Sequence, residues 1–223
     1  LNKGYFITGS DTGCGKTEVT LALMYLLRAR GERVLGMKPV AAGCAPTPEG
    51  LRNDDARRIL AAGSHPVAYP EINPYAFEPA IAPHIAAARR GEAIRFDSLA
   101  AAFRVLAQQS DRVVVEGVGG WRVPLGPDGA VSDLAARLAL PVILVVGLKL
   151  GCINHALLTA EAIVADGLTL AGWVANRVDP WMAAPEENLA ALEQRIPAPC
   201  LGYLPYLEPV SPALLASHLR LEE

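Results

Sequence analysis

Residues Gly9 to Thr17 read GSDTGCGKT and lie between an apolar run, Tyr5-Phe6-Ile7, and a helical stretch from Glu18 to Arg30. A strand, a glycine-rich turn and a helix in that order form a phosphate-binding loop. Successive backbone N–H groups of this loop then point into one cavity, and the helix N-terminus adds partial positive charge. Lys16 reaches the β- and γ-phosphates and the Thr17 hydroxyl is placed to ligate Mg²⁺. Counting back from Gly15, the first position of the G-x-x-x-x-G-K-[ST] pattern is Ser10, so Gly9 falls one residue early. The chain is expected to use a nucleoside triphosphate.

Short apolar runs alternate with helical patterns along the rest of the chain. Arg33–Lys38, Arg112–Glu116, Pro141–Gly147, Leu168–Ala175 and Pro199–Leu204 read as strands. Helices are expected at Asp54–Ala62, Asp97–Gln109, Ser132–Leu140, Cys152–Asp166 and Glu186–Ile196. Nearly continuous apolar strands such as VILVV indicate a mostly parallel central sheet with helices on both faces, an α/β fold of the P-loop NTPase type. With 223 residues, 52% of them hydrophobic, the chain can bury a full core as a single domain over 1–223. The proline-rich stretch Val67 to Pro83 reads as irregular, a lid or an interface segment.

A net charge of −3 gives no basic footprint for nucleic acid, and no Lys/Arg-rich run suits an anionic membrane. The longest apolar run, Leu140 to Leu148, is far short of the ~20 residues a spanning helix needs. No signal segment is visible, so a cytoplasmic location and small-molecule partners are expected. Cys14, Cys44, Cys152 and Cys200 are widely spaced and indicate neither a zinc site nor a disulfide framework.

Ligands of parallel sheets collect at the carboxyl ends of the strands. Lys38 closes the second expected strand ahead of Pro39, which places its ammonium beside the phosphate loop. Asp54 and Asp55 open a helix. Glu116 ends the strand Val113-Val114-Val115, the place where P-loop proteins keep an acidic group near Mg²⁺. Gly117, Gly119 and Gly120 let the backbone pass close to a ligand.

The succession GSDTGCGKT, MKPVAAG, TPEGLRNDDA, VVVEGVGGW, PVILVVGLKLGCINHA and LAGWVANRV resembles dethiobiotin synthetase, from about residue 4 to the Leu-Pro-Tyr-Leu segment near residue 207. The resemblance implies a cyclo-ligase acting on 7,8-diaminononanoate, CO₂ and MgATP and yielding dethiobiotin, ADP and phosphate in biotin synthesis. It implies that Mg²⁺ is held by Thr17, Asp55 and Glu116, with Asp54 a neighbour. Thr12 and Lys38 match the carbamate-contacting positions, and Lys16 and Lys38 supply the catalytic cations. Residues 13–18, Asp55, the Glu116-Gly117-Val118-Gly119 turn, Asn176, Arg177 and Pro205-Tyr206-Leu207 match nucleotide-contacting positions. Leu150, Gly151, Cys152, Ile153 and Asn154 match the segment offered across a homodimer interface to the carboxylate of the diamine. Two departures stand out: Gly13 replaces the usual Glu, and Ala42 replaces the usual Ser beside the substrate.

Two other functions fit a phosphate loop. A partner-regulated ATPase switch would carry a lysine five residues before the loop lysine, where this chain has Asp11. A small-molecule kinase would release a stable phosphorylated product, and only the KPVAAG and KLGCINHA blocks speak against it. Finally, Asn176-Arg177-Val178-Asp179 is close to the N-[KT]-x-D element that reads guanine, which adds GTP as a possible co-substrate.

Overall fold

The computed structural model describes residues 3–221. In chain order, the first half contains β1 (Gly4–Gly9), α1 (Lys16–Ala29), β2 (Val34–Met37), β3 (Val40–Ala41), β4 (Ala45–Thr47), β5 (Gly50–Arg52), α2 (Asp54–Ala61), α3 (Tyr69–Ile72), β6 (Tyr75–Ala76), α4 (Pro83–Arg89) and α5 (Phe96–Gln109). There follow β7 (Arg112–Gly120), β8 (Pro124–Gly126), β9 (Gly129–Ala130), α6 (Val131–Leu138), β10 (Val142–Gly147), α7 (Cys152–Ala165), β11 (Leu170–Asn176), α8 (Pro185–Glu193), β12 (Cys200–Leu204) and α9 (Pro212–Ala216).

Six strands form the central sheet in the order β12-β11-β10-β1-β7-β2, and every neighbouring pair is parallel. Burial explains why. Val113 to Val115 and Val142 to Val146 are inaccessible on both faces, which requires helices on each side and hence crossover connections. The chain leaves β1 for β2 on one side of the sheet and later leaves β7 for β10 on the other side of β1. That reversal opens a crevice at the carboxyl end of β1, where a ligand is expected.

The six strands match the apolar runs of the sequence, with shifted ends. β7 does not stop at Glu116 but continues to Gly120, because the backbone stays paired to β1. Ile7 pairs with Glu116 and Gly9 with Gly120, so β7 spends two extra residues there as a bulge. The stretch from Val67 to Pro83 is irregular only in part: it contains α3 and β6, β6 pairs in parallel with β3, and residues 77–82 carry no helix or strand. Its backbone is tied to the residue after β2 by Lys38 N–H to Ile72 O at 2.8 Å and to β3 by Phe77 N–H to Ala41 O at 2.8 Å.

Candidate active site

The phosphate loop begins where β1 ends, and Ser10 N–H still donates to Val145 O of β10 at 2.9 Å. Gly9 is required for space, since a Cβ there would lie 2.4 Å from Cys14 Sγ. Gly15 caps α1 with φ 83°, and a Cβ on it would lie 1.9 Å from Asn176 Nδ2. Asn176 donates from that nitrogen to the Cys14 carbonyl at 3.0 Å, so the end of β11 buttresses the loop. Lys16 Nζ donates to the Asp11 carbonyl at 3.2 Å.

Asp11 organises the front of the loop. Its carboxylate accepts the Thr12 N–H at 2.7 Å and Lys149 Nζ at 2.9 Å. The Lys149 bond, helped by the Thr12 N–H, holds the Asp11 carboxyl below its ordinary value, and the same bond raises Lys149.

Lys38 directly follows β2 and is buried. Its ammonium donates to Glu116 Oε1 and, at 3.2 Å, to Asp55 Oδ2. Thr17 Oγ1 donates to the same Glu116 oxygen at 3.0 Å. Burial works against the ammonium, but the charges of Glu116 and Asp55 outweigh it and lift the Lys38 pKa above the ordinary lysine value. Asp55 is delivered by the first turn of α2, which is capped by Asn53 Oδ1 accepting the Ala56 N–H at 3.1 Å. The cap is thus Asn53 and not either aspartate.

Glu116 is inaccessible to solvent, and its Oε2 has no hydrogen-bond partner. An orphaned carboxylate oxygen beside a threonine hydroxyl and the half-exposed Asp55 is a hard-oxygen donor set that fits Mg²⁺. Among the described residues no group of three or more His, Cys, Asp or Glu side chains could hold a metal by itself. Mg²⁺ favours one or two carboxylates completed by phosphate oxygens and water, and Asp55 and Glu116 supply two at this cavity.

These groups share a cavity of about 730 Å³. Thr12, Gly13, Gly15, Lys16, Thr17, Glu18, Lys38, Ala42, Asp55, Glu116, Val118 and Gly119 line it, as the sequence suggested. Cys14 is buried behind the loop, and Gly117 is fully enclosed with Phe6 and Val131 at its back. Arg177 lies outside the cavity lining, with Nη2 donating to Pro180 O at 3.0 Å. Asn176, Pro205, Tyr206, Leu207 and residues 150–154 do not line it either. Asn53, Arg58, Val123 and the Ala80–Pro83 edge do, and the sequence reading missed them. Asn53 was visible as the polar residue before the Asp-Asp pair, whereas Ala80–Pro83 carries no chemistry of its own to flag it.

A glycine-capped loop at the carboxyl end of β1, with a lysine and a threonine opening the helix behind it, defines an α/β nucleotide-binding protein of the P-loop type. Residues 3–213 match a family model described as an AAA domain. Among solved structures, the MinC:MinD cell division protein complex of Aquifex aeolicus aligns with TM-score 0.57 and 17% identity over 91% of this chain and 81% of that one. FtsY from Elizabethkingia anophelis in complex with GDP aligns with TM-score 0.52 and 13% identity over 100% of this chain and 61% of that one. At such identities the likeness is one of fold. Sequence relatives are far closer. The ATP-dependent dethiobiotin synthetase BioD of Pseudomonas aeruginosa strain UCBPP-PA14 is 56% identical over 97% of this chain and 96% of its own length. Its counterparts in Cellvibrio japonicus and Xylella fastidiosa strain 9a5c are 54% and 51% identical over 98% and 96% of this chain, and over 96% of their own lengths. The chain belongs to the dethiobiotin synthetase family.

Proposed function

We propose that this cavity joins CO₂ to 7,8-diaminononanoate using ATP, giving dethiobiotin, ADP and phosphate in biotin synthesis. The observation that carries the reading is that two buried lysines, Lys16 from the start of α1 and Lys38 from directly after β2, line one cavity. A carbamate and a triphosphate are both anionic, and cations fixed in a low-dielectric site favour their approach.

One amine adds to CO₂ and loses a proton, giving a carbamate. A carbamate oxygen then attacks the γ-phosphorus, the bond to the bridging oxygen of ADP breaks, and a carbamic-phosphoric anhydride results. The second amine attacks its carbonyl carbon, loses a proton and expels phosphate as the five-membered urea closes. Lys38 and Thr12 hold the carbamate, while Lys16 and the loop N–H groups hold the phosphates. Thr17, Asp55 and Glu116 would hold Mg²⁺, which neutralises charge on the β- and γ-phosphate oxygens. Ala42 offers the substrate no hydroxyl, and loss of one neutral hydrogen bond costs about 0.5 to 1.5 kcal/mol.

Asn176, Arg177 and Pro205–Leu207 surround the base in this reading. Asp179 Oδ1 accepts the Trp181 N–H at 2.9 Å, so this carboxylate also serves the turn after β11. ATP, the nucleotide in the relatives' names, is the co-substrate in this reading, and GTP a weaker substitute.

The reading extends to a cytoplasmic homodimer of one-domain chains whose active site lies at the subunit interface. Leu150 is 97% exposed, and residues 150–154 stand away from their own chain's cavity, which suits a segment serving the partner's substrate carboxylate. A switch ATPase is disfavoured because the diagnostic lysine position is Asp11, already paired with Lys149. Incubation with the diamine, bicarbonate and MgATP, followed by mass spectrometry, tests the function: dethiobiotin formed with stoichiometric ADP supports it, and a stable phosphorylated product would establish a kinase instead.

A further inference from the structure

Lys38 lies one residue beyond β2, where the sheet no longer satisfies its backbone, and Pro39 behind it has no N–H to contribute. Both backbone groups of Lys38 are instead taken by the last residue of α3 and the residue after it. Its N–H donates to Ile72 O at 2.8 Å, and its carbonyl accepts Asn73 Nδ2 at 2.7 Å. Asn73 is 3% exposed and uses its whole amide: Nδ2 donates also to Tyr75 O at 3.2 Å, and Oδ1 accepts the Tyr69 hydroxyl at 2.9 Å. Tyr69 OH in turn accepts the Asn53 N–H at 2.8 Å. Asn53 caps the helix that presents Asp55, and Asp55 meets the Lys38 ammonium.

A closed circuit results. From Lys38 it runs through Asn73, Tyr69 and Asn53 to Asp55, and back across the cavity to the Lys38 ammonium. The Tyr69 ring is fixed from outside by the Arg52 guanidinium, 4.3 Å from its centroid. Neither Tyr69 nor Asn73 lines the cavity. A buried polar chain with every member satisfied holds one geometry and is costly to break in part.

We propose that Tyr69 and Asn73 are positioning residues of the reaction: they fix the Lys38 ammonium relative to Asp55 and thereby relative to the γ-phosphate. The inference rests on the reading of Lys38 as a catalytic cation. It gives the proline-rich stretch a role as the rigid back wall of the site.

Tyr69→Phe removes one oxygen and keeps the ring. It is expected to lower kcat about tenfold, in line with the sensitivity of transition states to small displacements of a reacting group. The dissociation constant of ADP measured without Mg²⁺ should stay within a factor of two, because Lys16 and the loop N–H groups take no part in the circuit, whereas Asp55 belongs to it. Asn73→Leu should act in the same direction and more strongly. The deciding measurement combines Tyr69→Phe with Lys38→Gln: if Tyr69 acts through Lys38, the double variant turns over no more slowly than Lys38→Gln alone. Multiplying losses, an unchanged kcat in Tyr69→Phe, or nucleotide affinity falling in step with kcat would each overturn the positioning role. Wild-type turnover by Lys38→Gln alone would instead overturn the catalytic reading of Lys38, a separate result.

Discussion

Lys38 carries a full charge on a side chain only 6% exposed, and it is the counter-ion of Glu116, which is exposed not at all. Removing one member of such a pair leaves an uncompensated buried charge, a loss of ~3–5 kcal/mol. Lys38→Met should therefore lower both turnover and melting temperature. Lys38→Gln keeps an N–H donor for Glu116 and should melt between Met and wild type, while its turnover falls ~10²–10³-fold with the missing cation. Parallel thermal denaturation and turnover measurements check the order; melting of both variants at the wild-type temperature would mean that Glu116 does not depend on this lysine. Gly15 gives a second residue-scale prediction. Its left-handed φ costs an alanine ~1–2 kcal/mol, and the new Cβ would displace Asn176 from the Cys14 carbonyl. Gly15→Ala should weaken nucleotide affinity by at least tenfold, as measured by calorimetry, with a smaller effect on melting.

Among the elements, the phosphate loop and the loop before α7 are joined by the Asp11–Lys149 pair, whose side chains are 41% and 38% exposed. Solvent screening limits such a pair to about 0.2–1 kcal/mol. Because the folded-state pKa of Asp11 lies below its ordinary 3.8, the pair stabilises the fold above that value and the contribution is lost as pH falls through the lowered pKa. Lys149→Met should lower the melting temperature by a degree or two at pH 7, and the difference from wild type should shrink below pH 4. A difference unchanged with pH would mean that packing of the lysine stem, and not the charge pair, is what the mutation removes. The central strands β7 and β10 were the most legible in the sequence because their fully buried parts are runs of Val, Ile and Leu. The extension of β7 was not, since Gly117, Gly119 and Gly120 have no strand preference and are held there by pairing with β1. The same holds for residues 69–76, where proline reads as a breaker while the order comes from tertiary bonds of Tyr69 and Asn73. At the site, Lys16, Thr17 and Glu116 were legible through spacing and strand ends. Their supports were not, because a cap such as Asn53 and a clamp such as Asn73 are ordinary polar residues until the fold brings them to Lys38.

At the scale of the whole molecule, one chain supplies the loop, both lysines and the carboxylates of Asp55 and Glu116, yet the glycine-capped start of α7 does not line that cavity. Gly151 caps α7 with φ 93°, the Cys152 N–H goes to the Lys149 carbonyl at 3.0 Å, and the other N–H groups of a helix start favour an anion, though this end of α7 does not line the chain's own cavity. If a two-fold related copy uses it, every site draws Lys38 from one subunit and residues 150–154 from the other. The consequence is quantitative. A Cβ at Gly151 meets no atom within 4 Å, so Gly151→Glu adds backbone strain and a negative charge at the anion site without a clash. Alone, this variant and Lys38→Gln should both be nearly inactive. In a mixed dimer, one site carries both lesions and the other carries neither. An equal mixture at full exchange holds about half mixed dimers, so activity should recover to about a quarter of wild type. Mass spectrometry of the intact dimers must first demonstrate exchange. Verified mixed dimers with no recovery would assign each active site to a single chain, and residues 150–154 would then need another role.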